Sequence, residues 1–288
     1  MQLHFHTHNV DIPVTFSEKL DHAIAGSGSP LLVGLDPDPA RMPLHLIDRY
    51  PDISDLVTAF CLDVIDATKD NACGYKLNLA FFEALGRRAF GVFADVVNAI
   101  PKNRLVLADA KRGDIGNTAG KYREAFFGQF GVDAITLSPF MGLETMAGFL
   151  DDDRFGVFAL TLTSNPGSAD IMEQQLEGGK TVSVHLAEQF RAFQQTVPGT
   201  LGMVIGATKP EKLSPVLAAY PEAPLLIPGI GAQGGSVDQL ALALKNHAGT
   251  ALIPISRDII YAGSDFSWKE DVATRAAWYK EQLSKLVV

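Results

Sequence analysis

LVLADAKRGDIGNTAGKY, residues 105–122, runs from four apolar residues straight into a knot of charges. Leu105, Val106, Leu107 and Ala108 have the make-up of a buried strand, and Asp109, Lys111, Arg112 and Asp114 follow at its end. A strand sends alternate side chains to opposite faces, so Asp109 and Lys111 share one face and Arg112 takes the other. Two readings are open at this point. The charges either pair one another on a solvated strand end or form a catalytic cluster. For Arg112, a surface or helix-packing charge is the better reading.

Outward from this stretch, strand-length apolar runs alternate with helix-length segments. Leu31–Asp36 reads as a strand, and Ser54–Lys69 as a helix with Ser54 as its N-cap and Val57, Phe60, Cys61 and Val64 at helical spacing. Further strands are expected at Gly74–Leu79, Arg104–Ala110, Asp133–Ser138, Gly156–Thr163, Leu201–Ala207, Leu225–Pro228 and Thr250–Ser256. Helices are expected at Phe81–Ala99, Thr118–Phe130, Leu143–Leu150, Val182–Thr196, Glu211–Ala219, Val237–Lys245 and Trp268–Leu286. An additional helix, Ser17–Ala25, is placed to cap the bottom of a barrel. The strands are apolar throughout rather than alternating, as in a parallel sheet covered by helices. Eight such units in a chain of 288 residues indicate an α/β fold, a TIM (β/α)8 barrel, read as a single domain over residues 1–288. An open doubly wound sheet fits less well, because no glycine-rich dinucleotide turn follows the first strand. Gly26–Pro30 and Pro37–Pro43 read as loops.

A net charge of −9 argues against nucleic acid or an anionic membrane as partner, and leaves a small anionic substrate compatible with a locally basic site. Cys61 and Cys73 show no metal or redox spacing and read as reduced thiols of a cytoplasmic protein. No secretory leader and no membrane-spanning run is expected. His4, His6 and His8 alternate and would share one face of a strand. A polar lead-in segment is the better reading of them than a metal site, because no cysteine or carboxylate sits alongside.

A TIM barrel gathers its chemistry at the C-terminal ends of its strands. There the sequence offers Asp36 on the first strand, Lys76 on the second, Asp109, Lys111 and Asp114 on the third, Ser164 on the fifth and Arg257 on the eighth. A buried ion network would be a poor device for stability, because desolvation can exceed the Coulombic gain, so the cluster is read as functional. PGIGAQGG, residues 228–235, is a glycine-rich strand-to-helix turn whose backbone N–H groups can approach a phosphate. Arg257, one strand on, can grip phosphate oxygens bidentately.

Beyond these local readings, DAKRGDIGNT (residues 109–118) resembles the D-x-K-x-x-D signature of the orotidine 5′-phosphate decarboxylases. The resemblance extends through GLDPDP (34–39), YKLNLAFFE (75–83), DAITLSPFMG (133–142), TSNPGS (163–168), PGIGAQGG (228–235) and SRDIIYAG (256–263), and is nearest to the longer, bacterial-type branch. It implies decarboxylation of orotidine 5′-monophosphate to uridine 5′-monophosphate, a homodimer, and no metal or organic cofactor. Carried onto this chain, it implies that Asp36 binds the ribose and that Lys76 contacts it and orients Asp109. Asp109 would face the substrate carboxylate and Lys111 would protonate C6. Asp114 and Thr118 would come from the partner subunit, Ser164 would read the pyrimidine edge, and Gln233 and Arg257 would hold the phosphate with backbone near Gly234. One departure is Ser256, where some members have glycine; its hydroxyl could touch the phosphate or crowd the site. Ala40–Tyr50 and Ser168–Lys180 are expected as loops at the barrel mouth.

Rival readings remain at this stage. Keto-gulonate phosphate decarboxylases and hexulose-phosphate synthases share the signature, bind magnesium, and carry a glutamate where this chain has Lys76. A Schiff-base aldolase would need Lys111 neutral, against its acidic neighbours. A non-catalytic phosphate binder would need no complete set of lysines and aspartates.

Overall fold

The computed structural model describes residues 15–207, 210–231 and 234–287. Eight parallel strands close into a barrel in sequence order. They are β1 (Leu31–Leu35), β2 (Gly74–Asn78), β3 (Leu105–Arg112), β4 (Ala134–Leu137), β5 (Gly156–Leu162), β6 (Thr200–Ile205), β7 (Leu225–Leu226) and β8 (Ala251–Ile255). Closure is made where Leu31, Leu32 and Val33 of β1 pair with Ile253, Pro254 and Ile255 of β8.

Strand alternation divides the core into two shells. Leu31, Val33 and Leu35 of β1, with Tyr75 and Leu77 of β2, belong to the outer shell between barrel and helices. Leu32, Leu105, Leu107, Ala134, Phe158 and Leu226 belong to the inner one. Helix Phe16–Ser27 closes the bottom as expected: Thr15 caps it with Glu18 in a reciprocal box, and Phe16, Leu20, Ala23 and Ile24 join the inner shell. Phe16 meets Phe158 edge-on at 6.2 Å. Following the inward rows upward, apolar residues give way to polar ones: Gly74 to Lys76 to Asn78 on β2, Leu105 and Leu107 to Asp109 on β3, Ala134 to Thr136 on β4. That change of character marks the mouth.

The structure redraws several expected elements. The single helix expected at Phe81–Ala99 is broken into Leu79–Glu83, a 3-10 turn at Gly86–Arg88, and Ala89–Ala99. Gly86 adopts φ +63°, a left-handed conformation that ends the first piece. The segment expected as helix Thr118–Phe130 is α-helical over Gly116–Arg123 and continues as a π-helix over Glu124–Gln129. Ala40–Tyr50, expected as loop, contains the helix Leu44–Arg49 and the end of a 3-10 turn, Pro39–Arg41. Within Ser168–Lys180 lies a short helix, Ser168–Ile171. Another short helix, Arg257–Ile260, follows β8.

The seam between β1 and β8 is backed by helices Ile53–Thr68 and Trp268–Leu283. Trp268 is buried, stacks on Phe60 at 4.9 Å and donates its indole N–H to the Ile260 carbonyl at 2.9 Å. Such a ring pair adds about 0.5–1.5 kcal/mol beyond its area burial. Among the described residues no helix is long and apolar enough to cross a membrane.

Candidate active site

The charges that close the opening stretch meet inside the mouth. Lys76 on β2 and Asp109 on β3 are register neighbours offset by two positions, Lys76 pairing with Leu107 and Asn78 with Asp109. From there the Lys76 ammonium donates to Asp109 Oδ2 at 2.9 Å and lies 3.7 Å from Asp36 Oδ1. Lys111 donates to the other oxygen of Asp109 at 2.5 Å. The Lys76 and Asp109 side chains are 8% and 12% exposed, whereas Lys111 is 50% exposed. Asp109 is therefore a buried carboxylate bridged by two ammonium groups, one sunk in the barrel and one reaching the open cavity.

Electrostatics follow from that burial. Burial alone pushes the Asp109 carboxyl up, but Lys76 and Lys111 outweigh it and hold it well below the ordinary carboxylate range. Burial likewise disfavours the charged form of Lys76. Asp109 and Asp36 override it, and its pKa rises above the usual lysine value. Among the described residues, Asp36 Oδ1 is buried with no hydrogen-bond partner, an acceptor on the cavity wall.

The backbone that presents Lys111 is unusual. Lys111 has φ +47°, the one positive φ at a non-glycine position among the described residues. Between Ala108↔Ile135 and Arg112↔Leu137 the β3–β4 ladder shifts register, so β3 carries two more residues than β4. Thr136, inward on β4, fills the gap: it accepts from the Lys111 N–H at 2.9 Å and donates to Asp109 Oδ1 at 3.1 Å. Sequence reasoning missed Thr136. Its signal was a lone hydroxyl on the inward row of an apolar strand. Arg112, on the outward face, pairs with Glu83 and lies over Tyr122 at 5.5 Å, so it packs helices as the alternation implied.

These groups line a cavity of about 310 Å³ at the C-terminal mouth. Asp36, Lys76, Asp109, Lys111, Ser164 and Arg257 are all on its wall. Arg257 is the first residue of helix Arg257–Ile260. The carboxylate of the adjacent Asp258 is engaged by Tyr279 and Arg275. The turn after β7 reaches the cavity through Pro228, Gly229 and Ile230. Gly234 stands outside the lining, with φ +81° and its N–H given to the Gly231 carbonyl at 2.8 Å. Gln233 and the histidines His4, His6 and His8 lie outside the described residues. The Ser256 hydroxyl is buried and finds no hydrogen-bond partner among the described residues, packed where a side chain on Gly34 would collide with it.

Asp114 and Thr118 are not brought to this cavity. Asp114 Oδ1 accepts from the Ile115 N–H at 2.8 Å, and Thr118 is exposed on helix Gly116–Arg123. A further unforeseen member is Tyr261, whose hydroxyl donates to the Asp36 carbonyl at 2.9 Å and accepts from the Asp38 N–H at 2.6 Å. It ties the β1 end, and so Asp36, to the β8 side of the mouth. Among the described residues, no cluster of three or more histidine, cysteine or acidic side chains is placed to hold a metal ion.

A sequence profile of the orotidine 5′-phosphate decarboxylase / HUMPS family matches residues 29–267. The chain belongs to that family. Among decarboxylase relatives, the orotidine 5′-phosphate decarboxylase of Herpetosiphon aurantiacus is 40% identical over 255 residues, covering 88% of this chain and 92% of the relative. That of Dehalococcoides mccartyi is 38% identical over 271 residues, 93% of this chain and 97% of the relative. The crystal structure of a candidate orotidine-monophosphate decarboxylase from Toxoplasma gondii superposes with a TM-score of 0.84 at 32% identity, covering 95% of this chain and 97% of that one.

Proposed function

We propose that this chain converts orotidine 5′-monophosphate to uridine 5′-monophosphate and carbon dioxide, a step of pyrimidine biosynthesis, without a metal or organic cofactor. The observation that carries the reading is the bridged array Lys76–Asp109–Lys111 on the wall of the mouth cavity, with Arg257 on the same wall. Family membership and the decarboxylase relatives support the reaction.

The chemistry demands such an array. When the bond from C6 to the carboxylate breaks, carbon dioxide leaves and the electron pair stays on C6, in the ring plane, where the π system cannot delocalise it. Stabilisation must come from fixed charge. The Lys111 ammonium provides it and then gives its proton to C6, leaving a neutral amine that regains a proton from water. Asp109 serves two ends. It orients the Lys111 ammonium through their hydrogen bond, and it stands as a like charge against the substrate carboxylate, a repulsion of about 4 kcal/mol at 4 Å and an effective dielectric near 20 that departs with carbon dioxide. Lys76 supplies a fixed positive charge between Asp36 and Asp109.

In the same reading Asp36, on the cavity wall, receives a ribose hydroxyl and Ser164 meets the pyrimidine edge. Arg257, Gln233 and the Gly234 turn hold the phosphate, and that remote grip supplies binding energy for closing the site. Asp114 and Thr118 act in the cavity of a second copy in a homodimer. Their exclusion from their own cavity supports this, as do the exposed Ile115, Phe140 and Met141 beside them at the mouth. The buried free thiols Cys61 and Cys73 suit a reducing cytoplasm.

The test is to mix protein, orotidine 5′-monophosphate and EDTA and follow loss of the orotate absorbance, with Lys111→Ala as control. Chelator-resistant turnover that vanishes in the variant is expected. No turnover by the intact protein removes the reading and directs the search to magnesium and sugar phosphates.

A further inference from the structure

We infer that Thr136 is a positioning residue for proton delivery by Lys111. The inference rests on the function proposed above and adds to it a part for a side chain that acts through Lys111 and Asp109.

A lysine in the left-handed region is strained, because its Cβ crowds the backbone there. Such a conformation persists only where its surroundings over-determine it. Lys111 lies beyond the last β2 pairing and inside the β3–β4 slip, so no carbonyl of a neighbouring strand is registered against its N–H as acceptor. The Thr136 hydroxyl replaces that acceptor at 2.9 Å. Having accepted from Lys111, the same oxygen directs its own proton to Asp109 Oδ1 at 3.1 Å, the oxygen that receives the Lys111 ammonium. One buried hydroxyl thus ties the main chain of the proton donor to the carboxylate that orients its side chain, in a closed ring of three hydrogen bonds. Thr136 is 1% exposed, and its χ1 is stiffened by β-branching, so the hydroxyl is held in place.

The outer face backs this ring. Arg112 returns a hydrogen bond to the Ala110 carbonyl at 3.2 Å and pairs with Glu83, so the residues on both sides of Lys111 are anchored. The Ser138 N–H then restores the ladder by donating to the Arg112 carbonyl at 2.8 Å. Lys111 is left as a held corner from which the side chain rises into the open cavity. Loss of the inner tie lets the corner relax toward ordinary strand geometry and moves the ammonium relative to C6.

Thr136→Val removes the hydroxyl and preserves the shape; Thr136→Ser keeps the hydroxyl. Both are compared with the intact protein for kcat, KM, binding of uridine 5′-monophosphate and amide exchange at Lys111. The expected result for Thr136→Val is a kcat lower by about 10–100-fold, since a displacement near 1 Å can cost that much, with KM and nucleotide binding within about threefold. Lys111 amide exchange should rise about tenfold or more, and Thr136→Ser should return kcat to within about threefold of the intact protein. An undiminished kcat in Thr136→Val, with the intact protein active, overturns the inference alone. Loss of nucleotide binding in parallel with kcat, unrescued by serine, also overturns it, because it shows a merely structural role. An intact protein without turnover overturns the proposed function itself, and that outcome is read before any variant is compared.

Discussion

Replacing Lys76 by methionine removes the cation between two carboxylates while keeping much of the stem's length and apolar body. The ammonium lies 2.9 Å from Asp109 and 3.7 Å from Asp36, and all three side chains are largely buried. At an effective dielectric near 20 these contacts are worth about 6 and about 4–5 kcal/mol before desolvation. Removing one partner from a buried pair costs about 3–5 kcal/mol, because the charge left behind has no counterion. Lys111 still reaches Asp109, so the lower end, about 3 kcal/mol, is expected. At about 2–4 °C per kcal/mol, Tm should fall by about 6–12 °C.

The pH dependence identifies the cause. Asp109 has a folded pKa below its ordinary 3.8, so its contribution is fully present above that value and is lost as pH falls through the depressed one. Lys76 has a folded pKa above 10.5, so its contribution is fully present below that value and is lost as pH rises through the raised one. From about pH 5 to 9 the pair therefore adds no slope to the intact protein. In Lys76→Met, Asp109 loses the cation that lowers its pKa most and that pKa rises, so proton uptake relieves the variant as pH falls. The stability gap, measured by urea unfolding, should be wider at pH 8 than at pH 5. Turnover of orotidine 5′-monophosphate should drop ~100-fold or more. A Tm loss under about 3 °C, with a gap independent of pH, would refute the charge-balance reasoning.

Three shorter expectations concern other parts of the molecule. Tyr261→Phe removes the hydroxyl that fixes the Asp36 and Asp38 backbone; it should cost about 1–3 kcal/mol in thermal or urea unfolding and raise KM by roughly tenfold with kcat little changed. Burial holds the His247 pKa below 6.5, and its Nδ1 is buried without a partner among the described residues while Nε2 lies 2.8 Å from the Ala223 carbonyl. Its stabilising contribution is complete above pH 6.5 and lost as pH falls, so urea midpoints should drop between pH 7 and pH 5, and less steeply in His247→Gln. Ile115→Asp and Phe140→Asp place a charge on the exposed apolar rim; sedimentation should show monomers and assays lost turnover, whereas dimers with full activity would place the interface elsewhere.

Much of the mouth was legible because strand alternation is local. Once Leu105–Ala108 is a strand, Asp109 and Lys111 must share a face, and the apolar inward rows of β1, β2 and β3 forecast Asp36, Lys76 and Asp109 on one wall. Thr136 escaped notice because a threonine in an apolar strand has no spacing that distinguishes it. Its meaning arises only where β4 meets the slipped end of β3. The broken helix after β2 and the π-helix after β3 escaped because their helical periodicity continues across the interruption, while a left-handed Gly86 ends one segment and the other widens to π geometry where Phe126 and Phe127 are buried.

By itself, then, the sequence determined the α/β alternation, the barrel, and the residue types delivered to the strand ends, since each rests on periodicities that a strand or helix carries within itself. Tertiary structure decided that Lys76 sits 2.9 Å from Asp109, that Lys111 turns a left-handed corner held by Thr136, and that Asp114 and Thr118 leave their own cavity. Those depend on register between strands remote in the chain, which is fixed by hydrogen bonds and packing across the barrel rather than by the order of residues along any one strand.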